Sequence, residues 1–371
     1  MSEISASKRR IFTLIAVGLV TIITCALIET AVRVYQAVAG VTPPSIERLD
    51  DVLEKAWFAP HPYLVYTFKP SHSFTFVHPK YQRPTITTNR FGFRACCELD
   101  VSDKTKPPGV LRVATFGGST TMGTNNDNEV WPYLTGRKLG ERLPEKKIEV
   151  LNEGLMGYTS IDNLIDLSLR VTDFDCDVFV LYLGVNDYTA AAPPEIYRSD
   201  HAHYRKTLYQ SIGYSVSEVL PRWLMKSRAV STLLVACGVP DRRNLAACTG
   251  TAMFRDQEDF VGFGDDDVNE LVTRDVVRNF ASMIGVIRAH NPRALIVVSS
   301  FYDYRKRGYV HRLNPALREL SDKYEVTFVD LAARLPYDRR VTVDDVHFTP
   351  EGAELVSDVF SQAIAQALEG R

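Results

Sequence analysis

Near the middle of the chain, residues Asp177–Leu183 read Asp-Val-Phe-Val-Leu-Tyr-Leu. The run is too short for a buried helix, is rich in β-branched and aromatic residues, and offers no polar face to water. It is expected to form a strand covered on both sides, which is the habit of a parallel sheet. Other short apolar runs share its character: Arg112–Phe116, ending in Gly117-Gly118, then Lys147–Leu151, Ala294–Ser300 and Glu325–Asp330. Stretches with helical periodicity separate them, notably Glu129–Leu143, Ile161–Val171 and Arg274–Ala289. Strand–helix alternation of this kind predicts an α/β fold with a parallel sheet and helices on both faces. Ligands of such folds bind beyond the carboxyl ends of the strands.

The amino terminus follows other rules. Ile11–Ile28 contains no charged residue and is preceded by Lys8-Arg9-Arg10. As a helix it would span about 27 Å, close to the hydrocarbon thickness of a bilayer. The basic cluster is expected to stay in the cytoplasm and send the remaining chain outward. A cleaved signal peptide would have to use Ala37-Val38-Ala39, far downstream of the apolar run, and Thr24 is a poor residue ahead of Cys25 for a lipoprotein site. The expected organisation is therefore a cytoplasmic tail at 1–10, an uncleaved anchor at 11–31, a small β-rich membrane-proximal segment at 42–106 and a main domain at 107–371. The β-rich segment is suggested by alternating runs such as Ser73-Phe74-Thr75-Phe76-Val77. The main domain carries an insertion at about 189–267, with apolar helical patches around Leu220 and Leu233, that reads as a substrate cap or a structural cover.

Composition mostly excludes. A net charge of -2 provides no basic field for nucleic acid. Six cysteines include no CxxC pair, so a zinc ribbon has no support. Cys96 and Cys97 are adjacent, which is poor geometry for an ordinary disulfide, whereas Cys237 and Cys248 could pair across a short loop. His201 and His203 lack an acid or cysteine at metal-ligand spacing, and Asp265-Asp266-Asp267 misplaces the glycine and distal glutamate of a calcium loop. No cofactor and no metal are expected.

The chemistry is expected where strands end. Gly117-Gly118-Ser119-Thr120-Thr121 places a serine after a tight turn; taken alone, such a serine is a helix N-cap. A phosphate loop would need a lysine here, and the α/β-hydrolase elbow would need glycine in place of Thr121. Asn152-Glu153-Gly154-Leu155-Met156-Gly157 follows the second strand and Gly184-Val185-Asn186-Asp187 the third. Together these turns would gather backbone N–H groups and an amide around one crevice, as an oxyanion hole requires. Near the carboxyl terminus, Asp344-Asp345-Val346-His347 precedes a helix starting near Pro350. An acid there can hold the imidazole tautomer that leaves Nε2 free as base.

These four elements, in this order, resemble the blocks of the SGNH/GDSL hydrolase superfamily: Gly-x-Ser, Asn…Gly, Gly-x-Asn-Asp and Asp-x-x-His. The resemblance runs from Arg112 to the carboxyl end, leaving out most of the insertion. The upstream stretch Thr87–Arg94 is similar to the segment before the domain in membrane-anchored bacterial members. It implies a flavodoxin-like three-layer sandwich with a five-stranded parallel sheet. It also implies that Ser119 is the nucleophile, His347 the base and Asp344 its orienter, in preference to Asp345. The oxyanion donors would be Ser119, Gly157 and Asn186, with Gly157 preferred over Gly154, and Trp131 would be a packing position below the first loop. The motif departs from the family's Gly-Asp-Ser-Leu by reading Gly-Gly-Ser-Thr, and the insertion is absent from the smallest members.

The implied activity is ester hydrolysis outside the cytoplasm, with an O-acylated envelope or exported polysaccharide as substrate and the inner membrane as partner. An O-acyltransferase would use the same acyl-enzyme. A non-catalytic anchored scaffold that binds glycan or an assembly partner is the reading from another class.

Overall fold

The computed structural model describes residues 6–48, 51, 54, 56–59, 61–76, 83–191, 197–201, 219–242 and 266–370. Val77, His203, Cys248 and Asp265 lie outside the described residues. Two compact units emerge: Met1–Lys55 with Gln210–Ala246, and Ala56–Tyr209 with Ala247–Arg371.

The first unit is built on α1 (Ala6–Val38), a helix of 33 residues. It is long and apolar enough to cross a membrane, and none of its most apolar window is buried. A lone charged residue ends the apolar run, Glu29, which pairs with Arg33 one turn on at 2.6 Å.

The second unit begins with two small antiparallel sheets. Strand β1 (Phe58–Ala59) pairs with β2 (Thr67–Phe68), and β3 (Ser73–Thr75) with β4 (Thr85–Thr87). Trp57 is buried here and stacks on Phe74 with centroids 5.2 Å apart. The main sheet follows: β5 (Val110–Phe116), β6 (Lys147–Asn152), β7 (Val178–Leu181), β8 (Leu295–Ser299) and β9 (Thr327–Val329). Its order is β6-β5-β7-β8-β9 and every neighbouring pair is parallel. The chain thus starts its main sheet in the interior, adds one strand on one side, then crosses to the other. The β5–β7 boundary is a switch point where loops splay apart and leave a crevice.

The expected five-stranded parallel sheet is present, with ends that differ for local reasons. Asp177 immediately precedes β7; its N–H bonds the Arg112 carbonyl and its carboxylate accepts from the Arg112 N–H, both at 2.9 Å. Glu325 has a positive φ of 49° at the turn out of the preceding helix, so β9 begins two residues later than its apolar run suggests. Arg112 interrupts the apolar face of β5. It is fully buried and bonds Glu149, its partner in register on β6, at 2.7 Å. A buried ion pair of this kind contributes little net stability, but losing one partner strands the other charge.

The helices form two layers on the sheet. One holds α3 (Trp131–Arg142) and α11 (Pro350–Glu369), which pack together. The other holds α4 (Ser160–Asp166), α8 (Asp266–His290) and α9 (Gly308–Lys323). The short helices α2 (Ser119–Met122), α5 (Val185–Ala190) and α10 (Leu331–Arg334) follow strands directly. In the first unit, α6 (Arg222–Met225) and α7 (Arg228–Ala236) complete the set. The periodic stretch 161–171 ends as a π-helical turn at Leu167–Val171. Helix α8 extends eight residues before Arg274, because polar Asp267, Asn269 and Glu270 hide its start in the hydrophobic pattern.

Candidate active site

The turn between β5 and α2 is tight because its neighbours demand it. A Cβ on Gly117 would come within 2.5 Å of the Tyr182 carbonyl, and one on Gly118 within 2.3 Å of the Asn186 amide nitrogen. Neither glycine has a positive φ, so close approach rather than backbone handedness requires glycine here. Gly118 takes the N-cap position and Ser119 begins the helix, with no side-chain cap bond. The Ser119 hydroxyl points instead to His347, Oγ to Nε2 at 2.7 Å.

His347 is held from its other side. Its Nδ1 lies 2.7 Å from Asp344 Oδ2, while Asp344 Oδ1 accepts from the N–H groups of Val346 and His347 at 2.9 Å each. An ionised carboxylate can only accept, so Nδ1 carries the proton and Nε2 is left to accept from the Ser119 hydroxyl. Burial alone would raise the Asp344 carboxyl. The facing imidazole and the two N–H groups outweigh it and hold the carboxyl well below the usual carboxylate range. Asp345 turns away and pairs with Arg305 at 3.0 Å.

The remaining blocks arrive from β6 and β7. Gly157 has φ 74°, and its N–H, like that of Ser119, donates to no backbone carbonyl among the described residues. Asn186 donates one amide hydrogen to the Tyr158 carbonyl at 2.8 Å, which leaves the second for a ligand. Gly154 is occupied elsewhere: its N–H bonds Asn152 Oδ1 at 2.9 Å, and a Cβ there would meet the Met122 nitrogen at 2.0 Å. Trp131 is buried beneath the first turn and donates Nε1–H to the Thr120 carbonyl at 3.1 Å. A cavity of about 10 Å³ adjoins Ser119 and His347, walled by Trp131, Val130 and Phe348. It holds at most one water.

Three supports were not read from the sequence. Arg94 is fully buried and binds the carbonyls of Met122, Gly123 and Asn125 at 2.5–2.7 Å, with Asp127 on its Nε at 3.0 Å. It fixes the loop behind the serine from sequence far upstream. Asp187, next to Asn186, is buried against Ser160, whose N–H and hydroxyl both donate to it; Asn279 in turn donates to the Ser160 hydroxyl at 2.8 Å. His201 approaches the same carboxylate at 3.4 Å. Glu153 is buried beside Asp166 and Arg170, and burial, then the charge of Asp166, pushes its carboxyl well up. Asp187 and Glu153 stand in turns already singled out after β7 and β6, but nothing in those turns told of their burial. His201 thus belongs to a buried cluster, and Cys237 is a free, exposed thiol.

Burial raises the carboxyl of Asp187 to about 7 and that of Asp100 to about 6. In an unfolded chain both titrate near 4. Between about pH 4 and pH 7 the unfolded chain has lost these protons while the folded chain keeps them, so stability falls as pH rises through that window. The melting temperature is expected to be several degrees lower at about pH 7.5 than at about pH 5, and Asp187→Asn should narrow the gap. Equal melting temperatures at the two pH values would contradict this.

A family model described as GDSL-like Lipase/Acylhydrolase family matches residues 115–355. No curated protein matches the chain. Among solved structures, an acetyl xylan esterase, AlAXEase, is 14% identical with a TM-score of 0.42, over 68% of this chain and 100% of its own. The lipase Lip_vut3 from a goat rumen metagenome is 14% identical with a TM-score of 0.44, over 68% and 97%. The lipase/acylhydrolase from Enterococcus faecalis is 15% identical with a TM-score of 0.39, over 70% and 97%.

Proposed function

Because the chain belongs to the GDSL-like lipase/acylhydrolase family, we propose that it is a membrane-anchored serine esterase whose nucleophile is Ser119. The observation that carries this reading is the continuous relay from Ser119 Oγ through His347 to Asp344, with both links at 2.7 Å. A serine hydroxyl is a poor nucleophile at neutral pH and needs such a base beside it. Ser119 Oγ attacks the acyl carbon as its proton passes to His347 Nε2. Charge on the former carbonyl oxygen is met by the N–H groups of Ser119 and Gly157 and the second amide hydrogen of Asn186. His347 then protonates the departing alkoxide, and a water activated by the same imidazole releases the acid and restores Ser119.

Asn186→Ala removes one oxyanion donor and, unlike a change at the serine, leaves the relay intact. It is expected to lower kcat by on the order of 10²–10³ with little change in KM for an activated ester. A value within threefold of wild type would remove Asn186 from the oxyanion site.

Helix α1 supports an anchored location, with Lys8-Arg9-Arg10 on the cytoplasmic side and the esterase unit outside the cytoplasm. An O-acyl group on an extracytoplasmic glycan is the substrate consistent with that location. The deciding experiment is labelling by a fluorophosphonate probe. Wild type should label and Ser119→Ala should not. A folded wild-type protein that stays unlabelled would leave a binding scaffold as the better account. Product analysis with and without a sugar acceptor then separates water from a sugar hydroxyl as the acyl acceptor.

A further inference from the structure

The first unit has a feature that ester chemistry does not use. Glu29, the first charged residue after the apolar run of α1, receives the Ser227 hydroxyl at 2.7 Å and the N–H groups of Arg228 and Ala229 at 3.0 and 2.9 Å. Seven residues further along α1, Gln36 donates to Thr232 at 3.1 Å. Helix α7 is therefore capped by a side chain of α1 and lies along its upper turns, with its start fixed at the level where the apolar run ends.

The chain just before that start is one-sided. Val219 is 79% and Trp223 72% exposed, although the two other tryptophans, Trp57 and Trp131, are buried. Between Val219 and Ala236 the only charged residues are Arg222, Lys226 and Arg228. Arg48 holds the Leu220 carbonyl at 3.1 Å and Arg222 pairs with Asp51 at 2.8 Å, which ties the start of this segment to its own unit, while Glu29 holds its end. Ser227 comes four positions after Trp223, and four residues of chain reach at most about 14 Å. Trp223 thus stands near the end of the apolar run on α1.

We propose that Val219–Arg228 is an interfacial foot, in which Trp223 and Val219 enter the headgroup–acyl boundary of an anionic bilayer and Lys226 and Arg228 meet lipid phosphates. An amphipathic indole with exposed apolar area is stabilised at that depth, and each basic residue near an anionic surface adds about 1 kcal/mol. The lipid is the occupant because the exposed indole lies within reach of Ser227, which bonds Glu29 where the apolar run of α1 ends, and because the exposed Lys226 beside it is basic. The proposal rests on the reading that α1 spans the membrane. It makes this part of the insertion a brace on the anchor.

The test uses the full-length chain in vesicles of phosphatidylethanolamine and phosphatidylglycerol, doped with a phosphatidylcholine brominated near the top of its acyl chains. Bromine quenches only indoles at that depth. Quenching is expected in wild type and is expected to disappear in Trp223→Phe, while both proteins resist extraction by alkaline carbonate. Replacing phosphatidylglycerol by phosphatidylcholine should at least halve the quenching. Equal quenching in wild type and Trp223→Phe, with both carbonate-resistant, overturns the foot and spares the anchor. Extraction of wild type by carbonate overturns the anchor and the foot together. Quenching indifferent to phosphatidylglycerol overturns the anionic headgroup assignment.

Discussion

Ser119→Ala is expected to abolish fluorophosphonate labelling and to reduce turnover of an ester substrate by on the order of 10⁴–10⁶. His347→Ala should do the same within a factor of about ten, because a nucleophile and its base act as one unit and removing either loses most of what both supply. The double variant should be hardly worse than either single one. Neither side chain belongs to the core: Ser119 makes no cap bond, and the His347 side chain is 17% exposed. Folding should therefore survive, and circular dichroism with a melting curve checks this. Turnover within tenfold of wild type in either purified, folded variant would remove that residue from the proposed mechanism. Multiplicative losses in the double variant would show that the two act separately.

Asp344→Asn is expected to have the next largest effect, on the order of 10⁴ in kcat. An amide at this position can present its NH₂ to His347 Nδ1, which favours the tautomer with the proton on Nε2. That proton would face the Ser119 hydroxyl and leave no base for it. The carboxylate also accepts two backbone N–H groups through Oδ1, and the asparagine carbonyl can keep one or both. The loop from Val343 to His347 should then hold its shape, since Val343 N–H also bonds the His347 carbonyl at 2.8 Å. The distinguishing readout is pH. Asp344 sits well below the usual carboxylate range, so the wild-type rate should show no loss from its protonation down to about pH 4. The variant should stay slow over that whole range, because an amide has no charge to regain. A loss of less than tenfold with an unchanged pH profile would mean that Asp345 or water orients the imidazole.

The sheet was largely legible because buried parallel strands are written as short apolar runs, and all five runs became neighbouring parallel strands. Ends were less legible. Asp177 carries the polarity of a strand boundary, and the structure shows its carboxylate on the Arg112 N–H. Ser119, Gly157 and Asn186 come from the turns that leave β5, β6 and β7 at their carboxyl ends, whereas Asp344 and His347 arrive from the loop between α10 and α11. Arg94 gave no such signal, since its partners are backbone carbonyls some thirty residues away, and carbonyls have no letter in a sequence. The buried Asp187, Ser160, Asn279 and His201 cluster was invisible for a related reason: its members come from separate elements, and burial is a property of the assembled chain.

Residue order alone dictated the alternation of apolar strands and helices, the uncharged run at the amino terminus and the set of small and polar residues that end the strands. These depend on local periodicity and on steric rules that act over a few residues. Assembly of the chain decided which way the serine hydroxyl points, which of two adjacent aspartates faces the imidazole, and that a stretch near residue 228 starts its helix on a glutamate near residue 29. Those outcomes depend on groups far apart in the chain meeting within about 3 Å, and hydrogen bonds act only at that range.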